Sequence, residues 1–84
     1  MSTADKIRSK CAELEALLVR KNNAYGDSAL SPANIFYKGE STDSICIRID
    51  DKLNRIRNVG ITDATEDTVM DLAGYLILLM ISME

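Results

Sequence analysis

The sequence contains no histidine and no tryptophan, and it has only two cysteines, one proline and four glycines that stand apart from one another. Without histidine, and with no evident activating partner for either cysteine, acyl-transfer and cysteine-protease chemistry are set aside. The isolated glycines exclude a glycine-rich phosphate-binding loop. If the protein is an enzyme, metal-activated water is the route that remains.

The two cysteines, Cys11 and Cys46, lie on or beside apolar helical rows, and the residues needed to complete a zinc site are missing. We therefore expect buried thiols and a reducing cytoplasm. The N-terminal segment lacks the apolar core of a signal peptide. The longest apolar stretch, Leu72 to Met83, is shorter than the roughly twenty residues of a bilayer span, so no membrane partner is expected.

What the chain does have is 46% hydrophobic residues within 84 positions, together with a net charge of −3. This composition predicts a single folded domain covering residues 1–84, all-α and short enough to gain stability from association. The acidic balance argues against nucleic acid as a partner, because polyanion binding usually requires an excess of basic residues.

The segment Ser44 to Arg57, SICIRIDDKLNRIR, organises the predicted fold. Helical spacing places Ile45, Ile49, Leu53 and Ile56 on one buried stripe. The charged and polar residues divide between the two flanks of that stripe, with Arg48, Asp51 and Arg55 on one side and Asp50, Asn54 and Arg57 on the other. Lys52 falls close to the stripe itself, where a cation must snorkel to solvent, pair with an acid or meet an anionic ligand.

A first helix is predicted from about Thr3 to Asn22, with a buried row of Ile7, Cys11, Leu14 and Leu18. The connection from Asn23 to about Thr42 is long for a small helical domain, and such loops often carry function. We expect a short helical turn at Asn34, Ile35 and Phe36 that is held against the core. The second helix is expected to end near Gly60.

The third helix is predicted from Glu66 to about Met83, and its last three turns are apolar almost all round. Such a helix is buried on every side, which two other helices of ordinary length cannot achieve. We therefore expect its remaining face to meet a second copy of the chain, forming a helical homo-oligomer.

Asp67 and Asp71 lie one turn apart on the third helix, with Gly74 continuing the same column. An antiparallel neighbour could add Asp50 or Asp51 and create an oxygen-rich magnesium site. Alternatively, these acids form ordinary salt bridges with the cations of the second helix. Spacing alone leaves both interpretations open.

A cationic row of Arg48, Lys52 and Arg55 forms the second candidate constellation, with Lys21 and Asn22 near its end. Arginine and lysine both suit phosphate oxygens, and Tyr25 could stack on a base. The pattern predicts a phosphate-containing ligand, with Arg55 alternatively paired to Asp51 and Tyr25 alternatively a loop anchor.

Three blocks, KNNAYGDSALSPANIF, RIDDKLNRI and EDTVMDLAGYLILL, together resemble the nucleotide modification associated domain 1 family of small phage and bacterial proteins. The resemblance covers most of the chain after Leu18 and implies a nucleotide-related role in the cytoplasm, that of the host if the chain is phage-encoded. The site residues it implies are Lys21, Asn22, Tyr25, Gly26, Asp27, Arg48, Asp51, Lys52, Arg55, Glu66, Asp67 and Asp71.

A looser similarity links the chain to the all-α nucleotide pyrophosphatases, which hold magnesium between helices. The glutamate-rich motifs of those enzymes are missing here, since the acids of the second and third helices are mainly aspartates. The combined prediction is a three-helix oligomer that binds a nucleotide-type small molecule, either as a magnesium-dependent phosphohydrolase or as a sequestering factor. The alternative is a protein-interaction module whose charges form only salt bridges.

Overall fold

A computed structural model describes all 84 residues, which form three α-helices and no β-strand. α1 spans Thr3–Tyr25, α2 spans Ser41–Val59 and α3 spans Glu66–Ser82, with a 3-10 turn at Asp63–Thr65 before α3. The predicted all-α class is confirmed, and the ends of α2 and α3 lie within a residue or two of the predicted positions. None of the helices combines the length and apolar character needed to cross a bilayer.

α1 has a well-defined cap at each end. The Ser2 hydroxyl accepts a hydrogen bond from the Asp5 amide at 3.1 Å, and the Asp5 carboxylate accepts one from the Ser2 amide, which forms a capping box. At the other end, Gly26 adopts a left-handed conformation with φ of 61° and its amide donates to the Asn22 carbonyl. The helix is therefore three residues longer than predicted, and Tyr25 belongs to its last turn.

α2 and α3 form an antiparallel hairpin. Four side-chain pairs cross their seam, namely Thr42 with Ser82, Arg48 with Tyr75, Lys52 with Asp71, and Arg55 with Thr68. Each step forward along α2 is matched by a step backward along α3, which fixes the register. Ile45, only 1% exposed, is the buried apolar side chain of this hairpin and lies toward its open end, between the Thr42 and Arg48 pairs.

The connection between α2 and α3 is held by a fully buried threonine. The Thr65 hydroxyl donates to the Gly60 carbonyl at 2.9 Å and accepts from the Thr62 amide at 2.9 Å. The Thr62 hydroxyl in turn accepts from the Ala64 amide. These bonds satisfy the backbone where the chain reverses between the two helices.

α1 packs against α3 across a glycine. A Cβ atom at position 74 would lie 2.9 Å from Leu18 Cδ2 and 3.8 Å from Leu14 Cδ1, so glycine is the residue that leaves space for these leucines. The space beside Gly74 is thus occupied by the Leu18 side chain. This contact brings the C-terminal half of α1 alongside the hairpin.

Burial within one chain is lower than the periodicity predicts. Only four of the 84 residues are buried, and none of residues 1–13 is even partly buried. The predicted burial of Ile7, Cys11 and Cys46 is therefore wrong for the single chain, and both thiols are free and exposed. Leu53 is also half-exposed, because Lys52 rather than Leu53 takes the inward position facing α3.

The expected helical turn at Asn34, Ile35 and Phe36 is wrong as well. Asn34 has a φ of 55°, a left-handed conformation that interrupts a right-handed turn. Its carbonyl accepts a hydrogen bond from Lys38 Nζ at 2.6 Å. Phe36 is 97% exposed, so this part of residues 26–40 is not held against the core.

Candidate functional site

A cavity of about 310 Å³ opens between the C-terminal half of α1, the turn that follows it, and the facing sides of α2 and α3. Its lining residues are Leu17, Leu18, Lys21, Asn22, Tyr25, Ser28, Ala29, Arg48, Met70, Asp71, Gly74, Tyr75 and Leu78. This volume is at the lower end of the range for small-molecule sites. Apolar walls and a few polar groups from separate elements are also typical of such sites.

Asp71 is the point where charges from all three helices meet. Lys21 Nζ on α1 lies 3.4 Å from Asp71 Oδ1, and Lys52 Nζ on α2 lies 3.3 Å from Asp71 Oδ2. The Asp71 side chain is 27% exposed, so water still reaches the group. The predicted proximity of Lys52 to Asp71 is therefore present, and one carboxylate serves two ammonium groups.

Arg48 provides a cation without a carboxylate partner. Its guanidinium carbon lies 6.0 Å from the centre of the Tyr75 ring, the outer range of a cation–π contact. None of the ion pairs in the structure involves Arg48. Because Arg48 also lines the cavity, its donors are available to an anion placed there.

The other members of the predicted cationic and acidic rows lie elsewhere. Arg55 Nε donates to Thr68 Oγ1 at 3.1 Å and does not line the cavity. Asp50 and Asp51 border a separate hollow, which they share with Leu53, Asn54 and Arg57. The alternative pairing of Arg55 with Asp51 is also not formed.

Gly26 and Asp27 shape the turn after α1 without lining the cavity. Gly26 caps the helix, and Asp27 also has a left-handed backbone with φ of 62°. The Asp27 carbonyl accepts the amides of Leu30 and Ser31, and its carboxylate accepts the Ser31 hydroxyl at 3.5 Å. Their position places Ser28 and Ala29 at the rim of the cavity.

Glu66 and Asp67 begin α3 and are exposed, and neither forms an ion pair. Acids in the first turn of a helix favourably face its positive end. The structure contains no group of three or more acidic, cysteine or histidine side chains arranged around a possible metal position. The carboxylates available near the cavity for magnesium are thus Asp71 and, one turn away, Asp67.

The sequence-based prediction overlooked Tyr75, Ser28 and the apolar wall of the cavity. Tyr75 stands one turn after Asp71 on α3, so its spacing from that acid was a usable signal. Its polar hydroxyl within an otherwise apolar segment was another. The sequence contains no comparable signal for Ser28, because its position at the cavity depends on the conformation of the turn after α1.

Comparison with known proteins found no matching family model, curated protein or solved structure. The functional interpretation therefore rests on the residues that line the cavity.

Proposed function

We propose that this protein is a cytoplasmic, oligomeric protein of phage or bacterial type that binds a nucleotide or a nucleotide-derived phosphate in the cavity beside Asp71. The observation that carries the proposal is the convergence of Lys21 and Arg48 on one cavity that also contains Tyr25 and Tyr75. These residues come from three different helices, so only the folded chain brings the two cations and two aromatic rings together.

The charge around the cavity is opposite in sign to that of the whole chain. The chain has a net charge of −3, whereas the charged residues that line the cavity are Lys21, Arg48 and Asp71. Lys52 does not line the cavity but contacts Asp71, so it adds a second uncompensated positive charge beside the lining. Such a site attracts anions, and phosphate oxygens suit both arginine and lysine donors.

The aromatic and amide groups of the cavity favour a ligand that contains more than a phosphate group. Tyr25 lies at the end of α1 and Tyr75 lies on α3, so their rings offer apolar faces to a flat group such as a base. Asn22 and Ser28 add hydrogen-bonding groups at the rim. A nucleotide supplies both the anionic and the aromatic part that this lining accommodates.

Magnesium-dependent hydrolysis is an extension of the same proposal. Mg²⁺ in nucleotide sites commonly uses one or two carboxylates together with phosphate oxygens and water. Asp71 and Asp67 would hold the ion here, and Asp71 is already engaged by two ammonium groups. The donor set therefore fits magnesium only when a bound phosphate contributes further oxygens.

We also propose that a second copy of the chain covers the exposed apolar face of α3. Leu76, Ile77, Met80, Ile81 and Met83 all remain accessible in the single chain. A soluble monomer rarely leaves a contiguous apolar stripe of this kind in water. Association would provide the burial that an 84-residue chain with four buried residues lacks.

One observation favours the structural alternative, in which the charges only join the helices. Lys21 and Lys52 already contact Asp71 directly, and this arrangement ties α1 and α2 to α3. In that case the cavity has no ligand. The protein would then be a protein-interaction module formed by its apolar faces.

A thermal-shift screen distinguishes these functions. Nucleotides, cyclic nucleotides and nucleotide sugars are tested with and without magnesium, and a ligand raises the melting temperature by mass action. Stabilisation without turnover supports sequestration, and phosphate release that requires magnesium supports hydrolysis. No stabilisation by any compound contradicts the ligand-binding proposal.

The matched variants are Arg48→Gln and Arg57→Gln, which change the same residue type on the same helix. Arg48 lines the cavity, whereas Arg57 borders the separate hollow and donates to Asn54 at 2.7 Å. We expect Arg48→Gln to abolish the shift and Arg57→Gln to preserve it. Equal loss in both variants would show a non-specific charge effect and refute the assigned site.

A further inference from the structure

We infer that Asp71 determines how many phosphate groups the cavity accepts, by opposing ligands that carry more negative charge than a phosphomonoester. This inference rests on the proposed function and adds a specificity-determining residue to it. Asp71 lines the cavity and its two oxygens face different lysines, at 3.4 and 3.3 Å. Its carboxylate is therefore a fixed negative charge beside the position proposed for the phosphate.

The charges at the cavity favour a ligand with about two negative charges. With Asp71 ionised, the lining cations Lys21 and Arg48 leave one positive charge uncompensated, and Lys52, which contacts Asp71 but does not line the cavity, supplies a second. The dianion of a phosphomonoester neutralises this excess. A di- or triphosphate brings additional negative charge into a site with apolar walls, where an uncompensated charge is costly.

Asp71 and a bound phosphate also compete for the same hydrogen-bond donors. Lys21 and Lys52 are each held by Asp71, so phosphate oxygens must share their ammonium groups with this carboxylate. Arg48 has no acidic partner and is the donor available without exchange. Arg48 therefore binds one phosphate group directly. Further phosphate groups must compete with Asp71 for the two lysines.

The Asp71→Asn variant removes the charge with little change in shape, and its amide oxygen still accepts a hydrogen bond from one lysine. Repulsion between Asp71 and a ligand grows with the ligand's charge. We expect the affinity of a monophosphate to increase by roughly threefold and that of a triphosphate by roughly tenfold or more, which is far less than an unpaired charge would give, because Lys21 and Lys52 already compensate most of the Asp71 charge.

The experiment measures the Kd of adenosine and thymidine mono-, di- and triphosphates by calorimetry, with a metal chelator present and ionic strength held constant. Work at about pH 8 keeps the monophosphate dianionic, because its second pKa is about 6. Wild type is compared with Asp71→Asn and with Asp71→Glu, which retains the charge and should preserve the wild-type ratio of affinities. Thermal unfolding of each variant confirms that it is folded.

Asp63→Asn is the matched control, because Asp63 is an exposed acid outside the cavity and forms no ion pair. A greater gain for triphosphate than for monophosphate, seen only in Asp71→Asn, supports the inference. Equal gains, no change, or a loss of affinity in that variant overturns the inference while leaving nucleotide binding intact. Absence of binding in both wild type and Asp71→Asn overturns the proposed function and the inference with it.

Discussion

The side chain of Asp71 links all three helices, since it contacts one lysine from each of the other two. Both pairs are partly exposed to water, with side-chain exposures of 48% for Lys21 and 30% for Lys52. Pairs of this kind contribute about 0–1 kcal/mol each to stability. Their importance for ligand binding is therefore expected to exceed their importance for folding.

The Lys52→Met variant separates those two contributions. Methionine keeps the length of the side chain and removes its charge, while Asp71 retains Lys21 as a partner. We expect the free energy of unfolding to fall by no more than about 1 kcal/mol and the nucleotide-induced thermal shift to be lost. Lys10→Met is the control, because Lys10 pairs only with Glu13 on the exposed surface of α1. Global unfolding of Lys52→Met would instead identify Lys52 as a structural ion-pair partner.

Thr65 offers a prediction about stability that does not involve the cavity. Thr65→Val preserves the side chain's shape but leaves the Gly60 carbonyl and the Thr62 amide without their buried partner. We expect a loss of about 1–3 kcal/mol, measured by urea unfolding. Thr65→Ser retains the hydroxyl and should lose less. A larger loss in Thr65→Ser than in Thr65→Val would show that packing of the methyl group matters more than the hydrogen bonds of the hydroxyl.

At the scale of the helices, the α2–α3 hairpin is the better-defined part of the fold. It has four side-chain pairs along its seam and contains Ile45, whereas α1 has no buried residue of its own. α1 is positioned by Leu14 and Leu18 beside Gly74, and by the ion pair of Lys21. The cavity lies at this junction, so its shape depends on how closely α1 approaches α3.

Gly74→Val tests that dependence. The added Cβ would lie 2.9 Å from Leu18 Cδ2, so α1 must move away or Leu18 must change its rotamer. Overpacking of this kind costs about 1–3 kcal/mol, and in a domain of this size each kcal/mol lowers Tm by roughly 4–8 °C. We expect a lower Tm and weaker nucleotide binding.

The double variant Gly74→Val with Leu18→Ala supplies the control for this prediction. If the clash with Leu18 is the cause, the alanine should recover part of the stability lost through valine, and the two effects should not be additive. Stability is measured by urea unfolding, and additive losses would place the cause elsewhere in α3.

At the scale of the whole molecule, the main feature is the number of large apolar side chains that are exposed to solvent. Residues on α1, on the connection and on α3 remain accessible, including Ile7, Phe36 and Met80. The chain is also extended, with principal dimensions of 46 × 29 × 23 Å. The proposed second copy on α3 would cover part of this surface.

Met80→Glu tests association through α3. Met80 is exposed in the single chain, and a charge there would be buried without a partner in a helical interface. We expect light scattering to show a lower molar mass than that of wild type at the same concentration. Asn58→Glu adds the same charge at an exposed polar position and should leave the mass unchanged. A wild-type protein that is a stable monomer at micromolar concentration would contradict the proposed association.

The sequence by itself determined the number of helices, most of their ends and the inward position of Lys52. These features depend on local signals, such as the capping serine, the glycines at positions 26 and 60, and apolar periodicity. A salt bridge between the cations of α2 and the acids of α3 was one of the two interpretations that spacing left open, and the pair formed by Lys52 and Asp71 is an example of it. The cavity residues Lys21, Asn22, Tyr25, Arg48 and Asp71 were likewise among those predicted.

The tertiary structure decided which of the candidate residues share a site. Asp51 and Arg55 lie close to Arg48 in sequence, yet the rotation of α2 places Asp51 at a separate hollow and directs Arg55 to Thr68. Tyr75 lines the cavity because the register between α2 and α3 places it beside Arg48. Sequence spacing within each helix does not specify that register. Helical periodicity identifies the residues on a face, but packing between helices determines what that face meets.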